Sequence, residues 1–196
     1  MKADVVLANP APLGLLGFGL TTILLNLANA NQYTSLAPVL SMGIFYGGIA
    51  QIIAGIMEFR KGNTFGTVAF TSYGLFWLTF AGIFLIPGMG GFLDATANTA
   101  LGYYLFFWGL FTLMMFVGTL RKNGALMAVF GTLFILFFLL AIGKWENISP
   151  TSDLAIATGY EGVLCGLTAF YTAAAEVLND AYGRSVLPLW PVKPKM

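Results

Sequence analysis

The 196-residue sequence has no histidine, one cysteine (Cys165) and only 9% charged residues. Each shortage closes a class of function. A single cysteine cannot form a disulfide within the chain. Without histidine a transition-metal site lacks its commonest ligand, so no metal and no cofactor is expected. Ser/His and Cys/His nucleophile pairs are excluded for the same reason, which counts against a membrane-embedded enzyme. No Gly-rich phosphate loop precedes a Lys-Ser/Thr pair, and no basic patch suits nucleic acid. Soluble domains carry about 25% charged residues. A chain with so few, and with 58% hydrophobic residues and a mean hydropathy of +0.84, belongs in a bilayer.

What is present is a set of six apolar segments: Leu13–Ala30, Pro38–Phe59, Phe65–Ile86, Thr99–Leu120, Ala125–Gly143 and Leu154–Val177. Each is close to the about 20 residues that cross a membrane as a helix. None alternates with a period of two, so the fold class is an all-α integral membrane bundle of six transmembrane helices rather than a barrel. Short polar stretches such as Arg60-Lys-Gly-Asn, Pro87-Gly-Met-Gly-Gly and Trp145-Glu-Asn-Ile-Ser-Pro read as the connecting turns. Lys2 before the first segment and Ala28-Asn29-Ala30 after it resemble a signal peptide, but the Pro- and Gly-rich start is unlike a signal core. Residues 1–182 read as one six-helix domain, and 183–196, with three prolines, as a loosely ordered tail.

The few charges fix an orientation. With the N-terminus inside, the inner segments hold Lys2, Arg60, Lys61, Arg121, Lys122, Arg184, Lys193 and Lys195, and the outer loops hold only Lys144. The positive-inside rule then puts both termini in the cytoplasm.

Asn9-Pro-Ala-Pro-Leu-Gly-Leu-Leu-Gly-Phe-Gly19 opens the first helix. Pro10 and Pro12 suit its first turn, and Asn9 suits its N-cap. Gly14, Gly17 and Gly19 lie inside the helix, where each costs about 1 kcal/mol against alanine. Another backbone or a ligand is therefore expected close by. Gly43-x3-Gly47 and Gly162-x3-Gly166 are small-residue stripes for close helix packing.

Few polar side chains lie inside the spans. Thr158, Glu161, Cys165, Thr168 and Thr172 share one face of the sixth helix, and Glu161 is the only carboxylate well inside any segment. It is a candidate proton or coupling site, or a carboxyl locking two helices. Gln51 is the strongest polar residue of the second helix and can donate to a carboxylate without carrying charge. Thr21, Thr71 and Ser72 are further binding candidates, against the bland reading that buried hydroxyls bond their own helix backbone. Glu58, Arg60 and Lys61, and likewise Glu176, Asp180 and Arg184, read as solvated helix ends.

Asn9-Pro-Ala-Pro-Leu-Gly-Leu15 resembles the signature of the acetate uptake transporter family, which includes the bacterial succinate–acetate permeases. Met42-Gly-Ile-Phe-Tyr-Gly-Gly-Ile-Ala-Gln51, Gly62-Asn-Thr-Phe-Gly66, Phe70-Thr-Ser-Tyr-Gly74 and Glu176-Val-Leu-Asn179 with Gly183-Arg184 are similar to its other blocks. The resemblance implies a homohexamer in the inner membrane with a path for small carboxylates, acetate and succinate, through each protomer. It implies a constriction formed by Phe18, Tyr73 and Leu133. Glu161 departs from the apolar residue of enterobacterial members. Phe and Leu would give an apolar neck, and Tyr a hydroxyl able to donate to a carboxylate. Thr21 and Gln51 would hold the carboxylate above and below the neck, and the helix start at Asn9, a further binding candidate, would favour anions near the cytoplasmic mouth. The alternatives are proton-coupled symport using Glu161, a channel for small neutral solutes such as urea, and a sensor that binds acetate without moving it.

Overall fold

A computed structural model describes residues 7–86 and 96–192. Among them six helices are long and apolar enough to cross a membrane: α1 (Ala11–Asn29), α2 (Ala37–Arg60), α3 (Thr64–Leu85), α4 (Ala97–Thr119), α5 (Gly124–Trp145) and α6 (Asp153–Tyr182). The turn expected at Pro87-Gly-Met-Gly-Gly, and the basic residues Lys2, Lys193 and Lys195, lie outside the described residues. The end carrying Lys61, Lys122 and Arg184 is called the basic end below.

Local chemistry sets the helix limits. The Asn63 side chain accepts from the Gly66 amide to cap α3, Asn123 does the same for Leu126 in α5, and Ser152 for Ala155 in α6. Gly183, at φ +62°, ends α6 in the left-handed region that glycine enters without a Cβ clash. Apolar patterning alone ends this helix at Val177. It continues to Tyr182 because polar residues outside the hydrocarbon carry it on.

Within α2 the stretch Phe45–Ala50 is wound as a π-helix. Such turns interrupt the i→i−4 ladder and often sit at functional positions. Here the wide turn delivers Gln51 to the bundle interior, where it is buried.

Packing follows the small residues. α1 lies against α6, α2 against α3, α4 against α5, and α5 also against α6. The α1/α6 seam is the tightest. A Cβ on Gly19 would stand 2.8 Å from the Gly166 carbonyl oxygen, and one on Gly166 would stand 2.7 Å from that of Gly19. The three glycines of α1 serve three different neighbours. Gly14 clears the Phe70 ring of α3, Gly17 the Tyr46 carbonyl of α2, and Gly19 the backbone of α6. Close helix approach therefore accounts for all three.

The chain beyond α6 is not a loose tail as far as Val192. Asn179 donates to the Leu187 carbonyl and accepts from the Val186 and Leu187 amides. The Gly124 amide donates to the Trp190 carbonyl, the Val192 amide donates to that of Lys122, and Tyr171 stacks on Trp190. Backbone and side-chain bonds thus strap residues 184–192 across the basic ends of α5 and α6. Counting prolines missed this, because the anchor is the side chain of Asn179, inside the helix.

Candidate functional site

Four helices carry residues seven apart, two turns, that face one interior cavity of about 260 Å³. They are Ala11 and Phe18 on α1, Gln51 and Glu58 on α2, Gly66 and Tyr73 on α3, and Leu126 and Leu133 on α5. Seven residues at 1.5 Å each make the cavity about 10 Å deep along these helices. Its rim is polar: Asn9, Glu58, Asn63, Lys122, Asn123 and Glu176. Its inner end is Phe18, Tyr73 and Leu133, all buried, with the Phe18 and Tyr73 ring centroids 5.9 Å apart.

A second cavity of about 210 Å³ lies at the opposite end. Asn29, Asn31, Leu140, Lys144 and Thr158 are among its lining residues. Along α5 the two cavities are separated by the stretch from Leu133 to Leu139, with Leu136 and Phe137 buried between them. Six residues of helix make this buried stretch about 9 Å long.

The rim is held by a chain of hydrogen bonds. Lys61 Nζ donates to Asn9 Oδ1 at 2.8 Å, and Asn9 Nδ2 donates to Glu176 Oε2 at 2.8 Å. Asn9 also accepts from the Ala11 amide at 3.3 Å. It is therefore less a simple helix cap than a bridge between the start of α1 and the ends of α2 and α6. Asn63 Nδ2 donates to Glu58 Oε2 at 2.7 Å, and Gly66 leaves the space that the Glu58 carboxyl fills. Glu58 is fully buried, not a solvated helix end. The signal for this was Gly62-Asn-Thr-Phe-Gly66. Its asparagine and second glycine both serve Glu58, but nothing before the fold showed that they faced it. Lys122 Nζ lies 4.6 Å from the centre of the Phe65 ring and has no ion pair among the described residues.

The sequence candidates divide. Phe18, Tyr73, Leu133, Gln51 and Asn9 line the first cavity together. Thr21, Thr71 and Ser72 do not line it. Thr21 donates to the Gly17 carbonyl of its own helix at 2.7 Å. The Thr71 hydroxyl packs against Gly55 of α2, and Ser72 turns to an open groove beside Tyr104 and Trp108 of α4. A helix offers one face to a cavity, and Tyr73 takes that of α3.

Glu161 lines neither cavity. Both its carboxyl oxygens are buried without a hydrogen-bond partner. One turn along α6, Cys165 Sγ meets the Val129 carbonyl of α5. The two helices run antiparallel, so Glu161, four residues toward the far end, stands at the depth of Leu133 but beside it.

The Tyr73 hydroxyl is committed. It donates to Thr112 Oγ1 at 2.9 Å, because the Thr112 proton already goes to the Trp108 carbonyl at 2.7 Å. In this arrangement the neck offers ring and methyl surface rather than a donor. The donors lie at the rim, and at Gln51, whose side-chain oxygen is buried without a partner. Half a turn about the last side-chain bond exchanges that oxygen for the amide NH₂.

Comparison with known proteins settles the lineage. The model of the GPR1/FUN34/yaaH family matches residues 2–193. The chain belongs to this family. It is 55% identical over 183 residues to the succinate-acetate/proton symporter SatP of Escherichia coli K12, covering 93% of this chain and 95% of that one. It is 41% identical over 178 residues to the ammonia transport outward protein 2 of Saccharomyces cerevisiae, of which it spans 61%. Among solved structures it is similar to that of the bacterial acetate channel SatP. The TM-score is 0.87 at 53% identity, over 94% of this chain and 99% of that one. A six-helix GPR1/FUN34/yaaH member is a multi-pass membrane protein, and the bacterial relatives above are described as a symporter and a channel.

Proposed function

We propose that each protomer passes acetate and related small carboxylates, succinate among them, across the inner membrane. The path runs from the cavity at the basic end, past Phe18, Tyr73 and Leu133, to the cavity beside Lys144. The observation that carries this reading is the convergence of those three side chains at the inner end of a polar-rimmed cavity, with a second cavity beyond that carries Asn29, Asn31, Lys144 and Thr158. A carboxylate at the rim finds the ammonium of Lys122 and, at the inner end, the amide of Gln51. The acetate methyl suits the ring-lined neck. An anion in hydrocarbon is costly unless polar groups replace its water, so a dry barrier must be short. Here it is about two turns of α5. A carboxylate channel and a carboxylate symporter among similar proteins support the same substrate class. Both termini lie in the cytoplasm, and the protein assembles as a homohexamer with one path per protomer.

A second reading, proton-coupled symport using Glu161, has the name of the E. coli relative in its favour. Its difficulty is that Glu161 lines neither cavity.

Uptake of labelled acetate into proteoliposomes tests the proposal. Uptake above that of protein-free vesicles is expected, with competition by propionate and succinate and none by urea. Competition by urea alone would identify a path for neutral solutes. Binding of acetate without any protein-dependent uptake would identify a sensor.

A further inference from the structure

The proposed path has charges of its own, and they nearly cancel. Glu58, Glu176 and Lys122 line the first cavity, and Lys61 is one hydrogen bond away through Asn9. Two carboxylates face two ammonium groups. A carboxylate that enters leaves one negative charge uncompensated in a confined space, which is unfavourable away from bulk water.

The two resident carboxylates are held differently. Glu176 accepts from Asn9, which in turn accepts from Lys61, so it is tied to a cation. Glu58 has only the neutral Asn63 amide on Oε2. Its Oε1 is buried without a hydrogen-bond partner, on a side chain that lines the cavity and is 0% exposed. Of the charged groups, Glu176 from α6 interacts electrostatically with it, Lys122 from the turn before α5 lines the same cavity, and Lys61, just past the end of its own helix, reaches the rim through Asn9. The α3 residues beside it, Asn63 and Gly66, are neutral.

We infer that Glu58 is the residue at which a proton joins the anion. With a carboxylate in the cavity, Glu58 Oε1 takes a proton from a hydronium ion that reaches the rim from bulk solvent and leaves as neutral water. The new O–H then donates to a substrate oxygen. One proton is gained, no other bond is made or broken, and the cavity returns to neutral. The orphan oxygen gains a bonding role, and an acceptor that repels the substrate becomes a donor. Glu161, outside both cavities, takes no part. The inference rests on the first cavity being the acetate path.

The test is labelled acetate uptake at fixed acetate-anion concentration over a range of pH, with protein-free vesicles subtracted to remove acid leaking through lipid. Wild-type uptake rises as pH falls, by up to about tenfold per unit, the ceiling for one bound proton. The Glu58→Gln protein loses this dependence, and Glu161→Gln keeps it. A pH-independent wild type, or Glu58→Gln tracking the wild type, overturns the assignment. No protein-dependent uptake at any pH overturns instead the reading of the cavity as the path. Should Glu58→Gln fail to fold, wild-type protein decides the matter. Dicyclohexylcarbodiimide attacks protonated carboxyls in apolar surroundings, and acetate should raise labelling of the Glu58 peptide severalfold. Labelling of Glu58 unchanged by acetate overturns the assignment.

Discussion

Replacing Leu133 with tryptophan abolishes protein-dependent acetate uptake. Leu133 is 3% exposed and stands where the first cavity ends. Around it are Phe18, Val129 and Phe130, and the Tyr73 ring, which itself contacts Phe18 and Phe130. An indole is too large for the leucine site, and overpacking a closed core costs about 1–3 kcal/mol. This site is open on one side only, toward the cavity. The added ring extends into the cavity of about 260 Å³, so most of the strain is relieved and the space a substrate needs is filled. The expected result is uptake at the level of protein-free vesicles from a protein that elutes as the wild type in size-exclusion chromatography. Wild-type uptake by a folded Leu133→Trp protein would mean that solute passes elsewhere.

The second large effect is on folding. A valine at Gly166 prevents α1 and α6 from packing. A Cβ there meets Ile23 Cγ1 at 2.6 Å, the Gly19 carbonyl oxygen at 2.7 Å and the Ile23 amide nitrogen at 2.9 Å. Two of the three are backbone atoms of α1, which cannot rotate away as a side chain can. Gly162 and Gly159 repeat the situation along the same seam, against the Asn26 side chain and the Ala30 backbone. Relief requires the two helices to separate, which opens the tightest seam of the bundle. The cost is expected to exceed about 4 kcal/mol, comparable to the stability of a whole domain. Membrane-fraction yield and thermal melting in detergent check this. Wild-type yield and melting temperature for Gly166→Val would contradict the packing described.

These two cases show what the sequence carries and what it hides. Helix number and most helix limits were legible because the bilayer demands long apolar runs, and polar turns interrupt them; the end of α6 was not, since it runs past its apolar stretch to Tyr182. The α1/α6 seam was half legible. Gly162-x3-Gly166 marks a close approach, but its partner, the Asn26/Gly19 face of α1, is set by tertiary packing. Phe18, Tyr73 and Leu133 came from resemblance, since an aromatic or a leucine in a span reads equally well as lipid-facing. Gln51 was legible as a polar residue in an apolar run. Thr21, Thr71 and Ser72 met the same criterion and point elsewhere. Depth in the membrane is visible in a sequence, whereas rotation about the helix axis is not. Glu58 was missed for a related reason. A carboxylate beside Arg60 and Lys61 looks like a solvated end, and only the space beside Gly66 shows that its carboxyl is inside.

The central claim is that substrate passes Leu133 within each protomer, and a single reactive position tests it most directly. A Leu133→Cys, Cys165→Ala protein carries its only thiol at the neck. In proteoliposomes, methyl methanethiosulfonate should stop labelled acetate uptake, and excess acetate should slow the loss. Complete modification of Cys at this position with uptake undiminished would contradict the account.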